Sequence, residues 1–241
     1  MLRIALLGYG KMGRAIEAEA LARGHEIAAR IDRDNRAELL RLSPETADVV
    51  IEFTHPDAFF DNLNDTLSLG LPLVSGTTGW YAHLDLVRQQ VQAHAGTLVY
   101  SSNFSPGVNL LFRLNRELAA LMAGYPEYDC FIEERHHRHK ADAPSGTAVS
   151  LARQIVERLP HKTRMADEAL RSRPPEADEL SVGYVRAGEI IGLHRVVYTS
   201  AIDRISIEHE AHSRQGFALG AVIAAEKAPG LRGCYEFSDI L

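Results

Sequence analysis

Cysteine is scarce in this 241-residue chain: there are two, Cys130 in a strand-like run and Cys234 near the C-terminus. Two thiols so placed make neither a disulfide framework nor a metal-ligand spacing, and both read as structural. Long apolar runs are also missing, since no stretch approaches the roughly 18 residues that would read as a bilayer crossing. Met1-Leu2-Arg3-Ile4 enters a strand pattern directly, without the layout of a signal peptide, so the cytoplasm is the expected location. Positive charge is not in excess. A formal net charge of −6 disfavours nucleic-acid binding as a general property. Repeats and low-complexity segments are lacking as well. What remains, at 46% hydrophobic residues, reads as a soluble globular protein with apolar material for one large or two modest domains.

Against the negative total, cations concentrate in Glu133-Glu134-Arg135-His136-His137-Arg138-His139-Lys140-Ala141-Asp142-Ala143-Pro144-Ser145-Gly146-Thr147. Burying so polar a segment would require a partner for each charge, so it is expected to face solvent or a ligand. On charge alone it would be a solvated basic loop, but the residues at its C-terminal end argue for more. Leu151, Ile155 and Leu159 recur four apart beside Ala148, Ala152 and Val156, which predicts a helix opening at Ser145-Gly146-Thr147. Its N-terminus points back at the cations, and free backbone N–H groups with a lysine suit a small anionic ligand.

The N-terminal part alternates strand and helix patterns. Leu2 to Leu7 reads as a strand, Gly8-Tyr9-Gly10-Lys11-Met12-Gly13 as a turn and Ala15 to Arg23 as a helix. In that setting Gly8 permits the tight turn, Gly10 lets a pyrophosphate approach the backbone, and Gly13 lets helix and strand pack closely. A second strand, Ile27 to Ile31, ends at Asp32, close to the ~20-residue interval expected of a ribose-binding acid. Asp48 to Phe53, Pro72 to Val74 and Leu98 to Tyr100 are further strands, with a helix over Ala58 to Leu69, so an α/β doubly wound, Rossmann-like parallel sheet is predicted. Gly76-Thr77-Thr78-Gly79-Trp80 and Ser101-Ser102-Asn103-Phe104-Ser105 fall at carboxyl ends of strands, where such sheets bind ligands, and are candidates for the nicotinamide half of a dinucleotide.

Beyond Pro106 the pattern changes. A helix over Val108 to Met122 precedes period-two runs at Tyr128 to Ile132, Leu180 to Arg186, Ile191 to Tyr198 and Arg204 to Glu210. These predict a smaller α+β domain with a mixed or antiparallel sheet, whose polar face, carrying Arg186 and His194, could wall a cleft. Pro160 to Ala177 reads as a surface excursion, Phe217 to Ala225 as a small-residue helix, and the apolar tail Tyr235 to Leu241 as returning to the first domain. The expected division is residues 1–104 with 214–241 for the dinucleotide and 105–213 for substrate and oligomerisation.

With these residues in view, the chain resembles the 4-hydroxy-tetrahydrodipicolinate reductase (dihydrodipicolinate reductase) family nearly end to end. The family pattern Glu-x-His-His-Arg-x-Lys-x-Asp-x-Pro-Ser-Gly-Thr-Ala is similar to Glu134 through Ala148 without a gap. Supporting matches are the Gly8 to Gly13 turn, Gly76-Thr77-Thr78-Gly79, Asn103-Phe104-Ser105, Val185-Arg186-Ala187-Gly188 with Gly192 and His194, and the closing Tyr235 to Leu241. Two departures stand out: Asp32 where members often carry Glu, and a shorter interval before Leu180.

The resemblance implies hydride transfer from NADH or NADPH to a cyclic, doubly carboxylated substrate with loss of water, giving tetrahydrodipicolinate in lysine and diaminopimelate biosynthesis. It implies His136 as the acid/base residue, Lys140 as proton donor, and His137, Ser145, Gly146 and Thr147 as the substrate-carboxylate site. The implied cofactor positions are Gly8, Tyr9, Gly10, Lys11, Met12, Gly13, Asp32, Arg33, Gly76, Thr77, Thr78, Ser101, Ser102, Asn103 and Phe104, with Arg214 toward the adenine. No metal, nucleic acid or membrane is implied, and a homotetramer is. Two rivals are an amino-acid dehydrogenase of the same two-domain shape, against which the His-His-Arg-x-Lys spacing weighs, and a non-enzymatic NAD(P)-sensing regulator, against which retention of both His136 and Lys140 weighs.

Overall fold

The computed structural model describes residues 1–166 and 173–241, which divide into two units: Met1–Asn109 with Gln215–Leu241, and Leu110–Arg214. The first unit begins with β1 (Arg3–Leu7), α1 (Lys11–Ala22), β2 (Glu26–Ile31), β3 (Val49–Glu52), α2 (Phe59–Ser68), β4 (Leu73–Ser75), α3 (Leu84–Ala93) and β5 (Thr97–Tyr100). A nine-residue 3₁₀ segment, Arg33–Arg41, follows β2 and is not signalled by the sequence pattern. All these strands pair in parallel. Because strand side chains alternate, Ile4 and Leu6 feed one core layer with Val49, Ile51 and Ile16, while Ala5 and Leu7 feed the other with Val50, Phe59 and Trp80. Covering helices on both faces explain why β1 and β3 read as continuous apolar runs rather than alternating ones.

The 17-residue α4 (Pro106–Met122) carries the chain across the division, which falls inside it between Asn109 and Leu110 rather than before Ser105. Its first turn is tied down by Asn109, whose Nδ2 donates to the carbonyls of Asn103 (2.7 Å) and Ser105 (2.9 Å).

The second unit holds β6 (Asp129–His136), α5 (Gly146–Val156), β7 (Arg164–Ala166), β8 (Glu179–Arg186), β9 (Gly192–Thr199) and β10 (Arg204–Ala211). Its sheet runs β10-β9-β6-β8-β7, antiparallel at β10/β9 and β9/β6 and parallel at β6/β8 and β8/β7, the mixed form expected. One expectation changes: part of the surface excursion is the edge strand β7. Lys162 anchors it, buried, donating to the carbonyls of Ala177 (2.8 Å) and Glu179 (2.9 Å) and pairing with Asp129 at 2.6 Å. Residues 167–172 of that excursion lie outside the described residues.

The chain then re-enters the first unit through α6 (Gln215–Lys227) and β11 (Gly233–Glu236). β11 pairs in parallel with β5, completing the order β11-β5-β4-β3-β1-β2, so the tail does return to the first domain, as a strand. α6 is apolar nearly all round because it is buried: Ala218, Ala221, Val222, Ala224 and Ala225 lie in the core with Phe104 and Phe237. Gly220 allows the closest approach, since a Cβ there would lie 1.6 Å from the Phe104 carbonyl oxygen. Among the described residues no helix is long and apolar enough to cross a membrane.

Candidate active site

The carboxyl end of β1 turns into α1 through three glycines. Gly8 has φ +93°, and a Cβ there would lie 2.0 Å from the Phe53 carbonyl oxygen; at Gly13 it would lie 2.5 Å from the Gly8 carbonyl oxygen. At Gly10, the N-cap of α1, it would meet no described atom within 4 Å, so the first amides of the helix are open to a ligand. Lys11 and Met12 occupy that first turn, and Tyr9 donates its hydroxyl to Glu17. Beside the turn is a cavity of about 290 Å³ lined by Gly8, Gly10, Asp32, Arg33, Arg36, Phe53, Thr54 and Asn62, among others. Asp32 caps the 3₁₀ segment, accepting from Arg33 N at 2.9 Å. Arg36, which sequence reasoning missed, points the same way from the next turn, paired with Asp65 at 2.6 Å.

The two small polar loops sit at the ends of β4 and β5 and are held differently. Thr77 is buried, whereas Thr78 is exposed; Gly76 packs on Phe53, where a Cβ would lie 2.0 Å from ring Cε1. Ser101 Oγ donates to the Asn103 carbonyl (2.8 Å), and Asn103 Oδ1 accepts from Ser105 N (2.9 Å), which closes that loop on itself with Ser102 outward. The Phe104 ring is in the core, 5.8 Å from Phe53 and 5.0 Å from Phe237, so a cofactor contact by this residue would be made through its backbone. Arg214 is exposed in the turn before α6 and groups with the second unit.

In the second unit the polar motif resolves into two parts. Arg138 and His139 are largely exposed, near Glu189, as a solvated loop would be. Glu134, His136, Ser145 and His194 are buried together. Glu134 Oε1 accepts from Ser145 N at 3.0 Å and Arg186 Nη2 at 2.7 Å, while Oε2 lies 2.5 Å from His136 Nδ1. Burial acts to raise the Glu134 pKa, but His136, Arg186 and Ser145 outweigh it and bring it down to about 2. A carboxylate only accepts, so His136 carries its hydrogen on Nδ1 and presents Nε2 on the other side, toward Gly192, where a Cβ would come within 3.1 Å. His194 stays neutral, its pKa pushed down to about 3 by burial first and by His136 second, and its Nε2 lies 3.0 Å from Ser145 Oγ.

Ser145 is also the N-cap of α5, its Oγ accepting from Ala148 N at 3.2 Å. The amides of Gly146 and Thr147, in the first turn, have no intrahelical acceptor and open toward a site where a Cβ on Gly146 would meet nothing described within 4 Å. Lys140 Nζ donates to Asp142 at 2.7 and 2.9 Å, which holds that carboxyl below its usual range. Arg186 donates both to Glu134 and to the Asp142 carbonyl (2.7 Å), so one guanidinium braces the loop against the buried acid. Glu134, His136 and His194 could also be read as a metal triad, their ligand atoms lying within 4.8 Å of one another. The donor set argues against it, because a guanidinium already sits on the carboxylate and a hydroxyl on His194.

Comparison with known proteins bears on both halves. Residues 2–104 match the family model for the dihydrodipicolinate reductase N-terminus and residues 107–241 that for its C-terminus. The chain belongs to the dihydrodipicolinate reductase family. A 4-hydroxy-tetrahydrodipicolinate reductase of Christiangramia forsetii is 42% identical over all of this chain and 98% of its own length. One from Alkalilimnicola ehrlichii is 38% identical, with 99% and 98% covered. Among solved structures, a dipicolinate-bound dihydrodipicolinate reductase from Paenisporosarcina sp. TG-14 superposes with TM-score 0.79 at 25% identity, each chain fully covered. An amine dehydrogenase from Mycobacterium smegmatis (TM-score 0.61, 12% identity, 99% and 95% covered) shares the fold alone. As a dihydrodipicolinate reductase the chain is an NAD(P)H-dependent oxidoreductase of lysine and diaminopimelate biosynthesis, and the amino-acid dehydrogenase and regulator readings are set aside.

Proposed function

We propose that this reductase converts 4-hydroxy-tetrahydrodipicolinate to tetrahydrodipicolinate with loss of water, using NADH or NADPH, and that His136 and Lys140 carry the proton chemistry. The observation that carries the assignment is the buried Glu134–His136 pair beside the open N-terminus of α5. A dinucleotide held by its pyrophosphate at the Gly8 to Gly13 turn would supply the hydride from its dihydronicotinamide.

The chain's own residues do the rest. The amides of Gly146 and Thr147, at the positive end of α5, bind one substrate carboxylate, and the family resemblance adds His137 and the Thr147 hydroxyl to that site. Ser145 shapes this site as cap and partner of His194 instead of touching the ligand through its hydroxyl. Elimination of the ring hydroxyl with a neighbouring ring hydrogen, as water, leaves a conjugated imine; hydride arriving on it makes an electron-rich carbon that needs a proton, and Lys140, exchanging Asp142 for a substrate carboxylate, supplies or relays it. His136, oriented by Glu134 through Nδ1, acts at Nε2 as the acid/base group of the site.

On the cofactor side, Asp32 suits the free ribose hydroxyls of NADH and repels a 2′-phosphate, whereas Arg33 and Arg36, lining the same cavity, attract one. These opposing effects support use of both cofactors. A homotetramer in the cytoplasm is the assembly and location we assign. Leu110, Leu114, Leu121 and Tyr125 are exposed along α4 and just beyond it, and β10 is a sheet edge with Ile205 exposed.

The test is NADH oxidation with enzymatically generated 4-hydroxy-tetrahydrodipicolinate. Lys140→Ala should lower kcat about a hundredfold or more, as for loss of a general acid, with NADH affinity nearly intact. Near-wild-type turnover in both Lys140→Ala and His136→Ala would place the active site elsewhere.

A further inference from the structure

Glu52 ends β3 in what reads as a plain apolar strand, yet its side chain is fully buried and no ion-pair partner for it is found among the described residues. Neutral donors surround it. Ser75 Oγ donates to Oε2 at 2.6 Å; Thr77 Oγ1 (2.7 Å) and Thr54 Oγ1 donate to Oε1, with Asn62 Nδ2 at 3.5 Å. The direction of these bonds is settled by what each hydroxyl receives. Thr77 Oγ1 accepts from Thr54 N (2.9 Å), Ser75 Oγ from Thr77 N (3.3 Å) and Thr54 Oγ1 from Asn62 Nδ2 (3.2 Å). An N–H cannot accept, so every hydroxyl is left with one hydrogen to give, and each gives it to Glu52.

The residues gathered in this way come from the loops after β3 (Thr54) and β4 (Thr77), from the end of β4 (Ser75) and from α2 (Asn62). Thr54 and Asn62 line the cavity beside Gly8, and Thr77 is the centre of the Gly76–Thr78 loop. β3 lies between β1 and β4 in the sheet, so its terminal side chain is the one that reaches the loop following β4 while its own loop meets the glycine turn. Threonine and serine rotors are otherwise free, and a shared acceptor at their centre removes that freedom before a ligand arrives.

We propose that Glu52 is a positioning residue for the dinucleotide, its two oxygens locking Thr54 and the Gly76–Thr78 loop into the arrangement that receives the nicotinamide end. This rests on the assignment of that loop to the cofactor. Glu52→Gln is the informative change, because it keeps size and shape but turns one acceptor into a donor, leaving at least one buried hydroxyl hydrogen without an acceptor.

The measurement is NADH affinity of the full chain by fluorescence titration, alongside KM and kcat and the affinity for dipicolinate. Glu52→Gln should weaken NADH binding about tenfold, with dipicolinate binding within about twofold of wild type. Ser75→Ala, a small deletion that removes one arm of the network, should raise the NADH KM about threefold with kcat unchanged, and serves if Glu52→Gln fails to fold. NADH affinity unchanged in a folded Glu52→Gln protein, or an unchanged NADH KM in Ser75→Ala, would reduce Glu52 to a packing role and overturn the proposal. Failure of the wild-type chain to bind NADH would instead remove the cofactor reading itself, and this proposal with it.

Discussion

Replacing Glu134 by glutamine tests the centre of the second-unit cluster, because it changes one acceptor oxygen while leaving volume intact. In the native protein Oε1 serves Ser145 N and Arg186, and Oε2 serves His136. A glutamine that keeps the first two bonds must turn its NH₂ toward His136 Nδ1, which then has to accept, so the imidazole hydrogen moves to Nε2. The Glu134 pKa is about 2 against an ordinary 4.5, a difference worth about 3 kcal/mol of folding free energy at neutral pH. Loss of that amount sits at the lower end of what breaking a buried charge pair costs. The sign follows from the depressed value. The contribution is complete above pH 4.5 and fades as pH falls toward 2, so the stability gap between native protein and variant, read by denaturant titration, should narrow steadily over that window. Steady-state assays should show kcat reduced about a hundredfold, from the wrong imidazole tautomer, with NADH affinity nearly unchanged. A gap equal at about pH 7 and about pH 3, or a folded variant within about threefold of native kcat, would refute this account of Glu134.

Three further outcomes are expected. His137→Ala and Thr147→Val should act mainly on substrate KM, since they hold the substrate and do not react; a loss confined to kcat would contradict that division. NADH and NADPH should differ in kcat/KM by about tenfold or less, with NADH equal or somewhat preferred and with Asp32→Ala shifting preference toward NADPH, because the Asp32 and Arg33 effects oppose each other. Ratios of several hundred either way would refute it. Sedimentation at micromolar concentration should find a tetramer, and a stable monomer would leave the exposed leucines of α4 unexplained.

Period, glycine placement and the strand–helix alternation are enough to read the parallel sheet, the Gly8 to Gly13 turn and the start of α5, because these depend on backbone geometry and near neighbours. β6 shows where this stops. Its buried positions are Cys130, Ile132, Glu134 and His136, one strict alternation, but the apolar signal ends at Ile132, so the pattern stops the strand there and assigns its last two inward residues to the loop. β11 and the Arg33–Arg41 segment escape the pattern for a related reason, being short and stabilised by neighbours distant in the chain.

The sequence by itself determined the family, the reaction class and the motif residues that lie within a few positions of one another in the chain, such as His136, Lys140 and the cap of α5. Tertiary structure alone decided which charges are buried and who partners them. Register places Glu134 opposite His194 on β9 and His136 opposite Arg186 on β8, and the loops after β3 and β4 close over Glu52. Periodicity records only which side of a strand a residue faces; the residue across from it is chosen by pairing between distant segments, and a buried acid is tolerated only once that pairing has supplied its donors.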